Sequence, residues 1–145
     1  MKFGFTNEYL DVRTKDGLND ELLTPLLYAS KSDDLFRVPI GSTTDGLSVP
    51  RAVQNVIPAV GDEAWWAGVL HDAAYRKTLE KWDSSSQDWI LANLSQFESD
   101  SLILEAMESQ GVGLIKRHTI YRALRMFGSF AYNADRKDLS KSPRV

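Results

Sequence analysis

His71-Asp72-Ala73-Ala74-Tyr75 constrains this chain more than any other stretch. It lies in the run 62–80, which has no proline and no β-branched cluster and reads as one helix, with Asp62 as its cap. His71 and Tyr75 are one turn apart on such a helix and share a face. Asp72 lies about 100° round from His71, and Tyr75 falls between them in projection. An imidazole, a carboxylate and a phenol therefore share one side. Each needs a partner once desolvated, so whatever packs on this helix must bring polar groups.

The rest of the chain divides around this helix. The first ~45 residues read as extended, because Phe3, Phe5, Tyr9, Leu10 and Val12 are interrupted by polar residues. Lys15-Asp16-Gly17 and Lys31-Ser32-Asp33-Asp34 are turn signals. Leu22–Tyr28 is apolar but holds Pro25, which argues for an edge or a break, and a third short run spans 35–40. Residues 41–50 are a loop rich in small hydroxyl residues and glycine, and a short helix from Pro50 to about Val56 is stopped by Pro58. Beyond residue 62 the pattern is helical. Ser84-Ser85-Ser86 offers caps for a helix to about Ser95, another covers roughly 97–110 and stops at Gly111 and Gly113, and a last one covers about 114–133. The expected fold is α+β: a small, irregular antiparallel β-region in the N-terminal third packed on a mostly helical C-terminal part. Residues 1–135 read as a single domain and 136–145 as a flexible basic tail.

Composition removes several kinds of chemistry. The chain has no cysteine, hence no disulfide, zinc–thiolate site or cysteine nucleophile. No apolar stretch approaches the ~20 residues of a membrane span, and the opening residues are too soon acidic for a secretory signal. Two histidines are too few for a His–Asp phosphohydrolase. Gly46-Leu47-Ser48-Val49-Pro50 fails as a serine-hydrolase elbow at its last position, and there is no phosphate loop or dinucleotide fingerprint. Charge is uneven. Residues 1–112 hold 9 Lys/Arg and 18 Asp/Glu, whereas 113–145 hold 8 and 2. The basic end suits phosphate on lipid or nucleic acid, or simply packing beside an acidic body.

Several separated motifs occur in a familiar order: Val38-Pro39-Ile40-Gly41, Thr44-Asp45-Gly46-Leu47-Ser48-Val49-Pro50-Arg51, His71-Asp72-x-x-Tyr75-Arg76, Ser99-Asp100, and Tyr121-Arg122-Ala123-Leu124-Arg125-Met126-Phe127-Gly128. Over about residues 3–132 the chain resembles a domain family of unknown function found mainly in tailed bacteriophages and prophages. Ser99 stands where that family usually has alanine, and 82–97 looks like an insertion relative to shorter members.

A more distant resemblance is to the secreted phospholipase A2 site, which has His-Asp-x-x-Tyr on one helix and a later Asp on an antiparallel one. By that resemblance the fold is phospholipase A2-like. His71 is the general base, Asp100 orients it, and Tyr75 supports the network; these are the candidate catalytic residues. Asp72 and Asp45 are the candidate calcium ligands, and calcium is the implied cofactor. The chemistry is coherent, since a neutral imidazole held by a carboxylate can deprotonate water and a calcium ion can stabilise the oxyanion. Two functions follow as expectations. One is a phage-encoded hydrolase of a lipid ester. The other is a non-enzymatic virion component, a tail or connector subunit, that keeps the His/Asp network for structure. The implied partners are other virion proteins and anionic phospholipid, with nucleic acid open. The implied location is the host bacterial cytoplasm and then the virion. Arg125 is a candidate to pair with a site carboxylate or clamp a phosphate. Trp65 and Trp66 are candidates for core packing or a lipid-facing rim, and His118 for a surface position.

Overall fold

The computed structural model describes residues 3–14, 20–44 and 64–141. In chain order they form β1 (Gly4–Phe5), β2 (Val12–Thr14), β3 (Asp20–Leu22), β4 (Leu26–Ala29), β5 (Leu35–Val38), β6 (Thr43–Thr44), α1 (Trp65–Tyr75), β7 (Glu80–Asp83), β8 (Asp88–Leu91), α2 (Gln96–Ser109) and α3 (Leu114–Lys141). The fold is mixed α+β, as expected. One antiparallel sheet has the order β1-β4-β5-β7-β8, and a smaller one the order β2-β3-β6. Leu22–Tyr28 is not one strand: β3 ends at Leu22 and β4 starts at Leu26, just after Pro25. The turn at 31–34 joins β4 to β5, with Asp33 at φ +66. The expected turn at 15–17, the Asp62 cap and the 50–56 helix lie outside the described residues.

α1 is the centre of the molecule. Ten of its eleven residues are buried, and the small Ala67, Gly68, Ala73 and Ala74 let neighbours approach on every side. Trp65 is buried, and the partly buried Trp66 meets the Phe5 ring edge-on at 5.6 Å, so both indoles are packing residues. Phe5 also meets Tyr28, whose hydroxyl donates to Glu105 of α2. The start of α1 and the end of α2 both reach β1, where Gly4 lies against Ser109. The end of α1 meets the start of α2 through Tyr75 and Asp100. The two helices are therefore antiparallel.

The helices differ from the sequence reading in several places. α1 stops at Tyr75 rather than near 80. Thr78 N–H donates to the Ala73 carbonyl and Lys77 N–H to that of Ala74, a Schellman stop with Lys77 at φ +63 in the position glycine usually holds. Residues 84–95 are not a helix. Ser84–Gln87 turn the chain between β7 and β8, Asp83 Oδ2 accepts from the Ser86 hydroxyl, and Gln87 sits at φ +56. Trp82 faces Trp89 across the hairpin at 5.5 Å, and the Arg37 guanidinium lies 4.3 Å from the Trp89 ring centre. The hairpin extends the N-terminal sheet at its edge, so the β-region is not confined to the first third. Such an edge accommodates an added segment without disturbing the core.

α2 begins one residue earlier than expected, on a capping box. The Ser95 hydroxyl accepts from Glu98 N–H, and the Glu98 carboxylate accepts from Ser95 N–H. It ends at Gly111, φ +78, in a Schellman turn closed by Val112 N–H on the Met107 carbonyl. α3 runs to Lys141, beyond the expected end near 133. Among the described residues, no helix is long and apolar enough to cross a membrane.

Candidate functional site

His71 and Tyr75 leave α1 on one face and meet Asp100, in the second turn of α2. Asp100 Oδ1 accepts from the Tyr75 hydroxyl at 2.6 Å and pairs with His71 Nε2 at 2.8 Å. Its Oδ2 accepts from Arg125 Nη1 of α3 at 2.9 Å. The Asp100 side chain is 0% exposed and that of His71 1%. Three helices thus converge on one buried carboxylate whose two oxygens take three donors.

The tautomer follows from this geometry. A carboxylate can only accept, so Nε2 carries the hydrogen and Nδ1 of the neutral ring carries the lone pair. Burial pushes the His71 pKa down, against the opposing pull of the Asp100 hydrogen bond and charge, so the ring is held towards its neutral form. Nδ1 is buried and has no hydrogen-bond partner among the described residues. Burial, then Asp100, pushes the Tyr75 phenol far above its ordinary range, which keeps it a donor.

Several residues to which the sequence reading gave no role build this arrangement. A Cβ on Gly128 would lie 2.5 Å from the Tyr75 hydroxyl oxygen and 3.5 Å from Gln96 Nε2. Glycine at that point of α3 is what admits the phenol. Tyr132, one turn further on, meets the Tyr75 ring edge-on at 5.3 Å and accepts from Lys77 Nζ at 3.0 Å. Lys77 Nζ also donates to the Leu94 carbonyl, which ties the left-handed end of α1 to the start of α2. Ser99 is fully buried, and its hydroxyl donates to the Ser95 carbonyl at 2.7 Å, so a serine is satisfied here inside the helix. A glycine within an amphipathic helical run was the one available sign of such close approach. The Tyr-x-x-x-Arg-x-Phe-Gly segment owes at least its arginine and its glycine to this site.

The candidate calcium ligands fare differently. Asp72 is buried, and its Oδ1 accepts from Arg76 Nε at 3.1 Å; Arg76 Nη1 lies 3.5 Å from Thr43 Oγ1. A guanidinium therefore already faces the carboxylate that a calcium ion would need. Among the described residues no three His, Asp or Glu side chains gather as a metal site. Asp45 follows β6 directly in the chain and lies outside the described residues, as does the rest of the Asp45–Ser48 stretch. His118 is exposed on α3, as expected.

Fold and site together define an α+β protein with a His–Asp pair sealed between antiparallel helices and braced by a third. A family model described as "Protein of unknown function (DUF1353)" matches residues 20–124, and the chain belongs to that family. No curated protein and no solved structure matches the chain.

Proposed function

We propose that this protein is an ester hydrolase in which His71 activates water, with a lipid ester as substrate and a bacteriophage as its setting. The observation that carries this reading is the His71 ring itself: Nε2 is fixed by Asp100 while the buried Nδ1 has no protein partner among the described residues. A lone pair so placed is a general base. As water attacks the acyl carbon, its proton passes to Nδ1 and the new C–O bond forms. Collapse of the tetrahedral intermediate breaks the bond to the alcohol, which leaves with that proton. Asp100 balances the transient imidazolium, and Tyr75 and Arg125 hold Asp100 in place; all three are positioning residues. The phage setting, with synthesis in the host cytoplasm and a place in the virion beside other virion proteins, comes from the family resemblance. No step is routed through calcium. Asp72 and Asp45 would be the residues to hold the ion, with Arg76 on Asp72 Oδ1.

A second reading has its own observation. His71 is 1% exposed, which suits a network that pins three helices together in a non-enzymatic virion component. One experiment separates the two. Fatty-acid release from phosphatidylglycerol and phosphatidylcholine vesicles is measured for wild type, His71→Ala and Asp100→Asn, with millimolar calcium and with chelator. The hydrolase reading expects release that falls ~100-fold or more in His71→Ala, and that persists in chelator. Release that needs calcium would restore Asp72 as a ligand. No release by folded wild type in either condition, with both variants losing thermal stability, would leave the structural network.

A further inference from the structure

We propose that Gln96 is a further positioning residue of the His71–Asp100 site, acting through Tyr75. Gln96 is the first residue of α2, and Asp100 lies one turn further on, so the two share a face of that helix. The Tyr75 hydroxyl lies against this face and donates to Asp100 Oδ1 at 2.6 Å. A Cβ on Gly128 of α3 would lie 2.5 Å from the same hydroxyl oxygen and 3.5 Å from Gln96 Nε2. Phenol and amide therefore converge at the point where α3 has no side chain. A phenol has one hydrogen and two lone pairs. With its hydrogen committed to Asp100, the oxygen can only accept, and Gln96 meets it as a donor through the amide nitrogen. The charge balance of the phenol agrees. Burial, then Asp100, pushes its pKa up, and the Gln96 hydrogen bond pulls the other way, which is the sign of a donor to the phenol oxygen.

The residue type fits the task. Hydrogen bonds in a chain polarise one another, so a donor to the phenol oxygen strengthens the hydrogen that Tyr75 offers Asp100. An amide does this without adding charge. A lysine at the same place would draw the Asp100 charge away from His71, and a glutamate could not donate and would repel Asp100. Gln96 is half-buried whereas His71 and Asp100 are sealed, so the chain Gln96–Tyr75–Asp100–His71 runs from the edge of the protein to its buried base. The part of Gln96 in catalysis rests on the hydrolase reading; its bond to Tyr75 does not.

The test uses the full chain labelled with ¹³C at tyrosine Cζ, whose shift reports on hydrogen bonding at the phenol. The Tyr75 resonance is the one lost in Tyr75→Phe. Gln96→Met keeps the shape of the side chain and cannot donate; its fold is checked by circular dichroism. It should shift the Tyr75 resonance and lower the folding equilibrium constant in urea about three- to tenfold, and the stability loss should vanish in the Tyr75→Phe background. Where wild type releases fatty acid, Gln96→Met should lower kcat by a similar factor with KM unchanged, again only while the Tyr75 hydroxyl is present. An unmoved Tyr75 resonance, or equal losses from Gln96→Met with and without the hydroxyl, would overturn the proposal even in an active protein. Absence of release from wild type removes the hydrolase reading and with it the part of Gln96 in catalysis, while a shifted resonance would still establish the bond to Tyr75.

Discussion

Asp100 shows how a few residues commit the whole site. Buried without its donors it would be strongly unfavourable, and it is stable because Tyr75, His71 and Arg125 each supply one hydrogen bond. His71 and Tyr75 were legible from their shared helical face, Asp100 as their partner was implied by the phospholipase A2 resemblance, and Arg125 was a candidate to pair with a site carboxylate, which it does. Gly128 was not legible, because its reason is a distance to Tyr75 that no spacing rule contains. Gly128→Ala should destabilise the fold by about 1–3 kcal/mol through overpacking against the phenol. In a urea-denaturation cycle, Tyr75→Phe should relieve part of that cost; strictly additive effects would count against the contact. His71 makes a second prediction. Its folded pKa lies below the ordinary 6.5, so the unfolded chain takes up the proton first as pH falls. This stabilisation is complete above pH 6.5 and is lost as pH falls below it, at up to about 1.4 kcal/mol per pH unit. The lowered carboxyls of Glu98 and Glu108 act below their own ordinary value of 4.5, outside this window. Chemical denaturation between pH 7 and 5 should show the loss in wild type and a flatter profile in His71→Gln. A flat wild-type profile would contradict it.

At the scale of elements, the helices were read from periodicity and their ends from side chains, with unequal success. α2 ends and α3 starts close to where expected because Gly111 and Gly113 punctuate the chain between them. The end of α1 was missed because a lysine, not a glycine, takes the left-handed position. Lys77 is kept there by the Leu94 carbonyl and the Tyr132 hydroxyl, both remote in sequence. The hairpin β7–β8 was missed because three serines read as caps. Trp82, Trp89 and Arg37 stabilise strands there only once β5 lies alongside β7. Ser95 was assigned to the end of a helix and is in fact the cap of the next. Ser95→Ala should cost about 1 kcal/mol, read as a lowered melting temperature. A change below a few tenths of that would mean the capping box does not hold α2, whose second turn carries Asp100.

For the whole molecule, the antiparallel pairing of the helices that carry His71 and Asp100 was implied by the phospholipase A2 resemblance, whereas the sequence by itself determined the order of most of the extended and helical segments and the residues that needed polar partners. These follow from local rules: periodicity, turn chemistry and the cost of burying a polar group alone. Only the tertiary structure decided that α1 lies at the centre with His71 sealed, that α3 reaches Asp100 through Arg125 and yields room at Gly128, and that Arg76 faces Asp72 where a metal was expected. It also decided that Leu114, Ile115 and Met126 face outward. Each depends on which faces of separate elements meet, and helical spacing orders residues on one face without saying what, protein or solvent, lies against it.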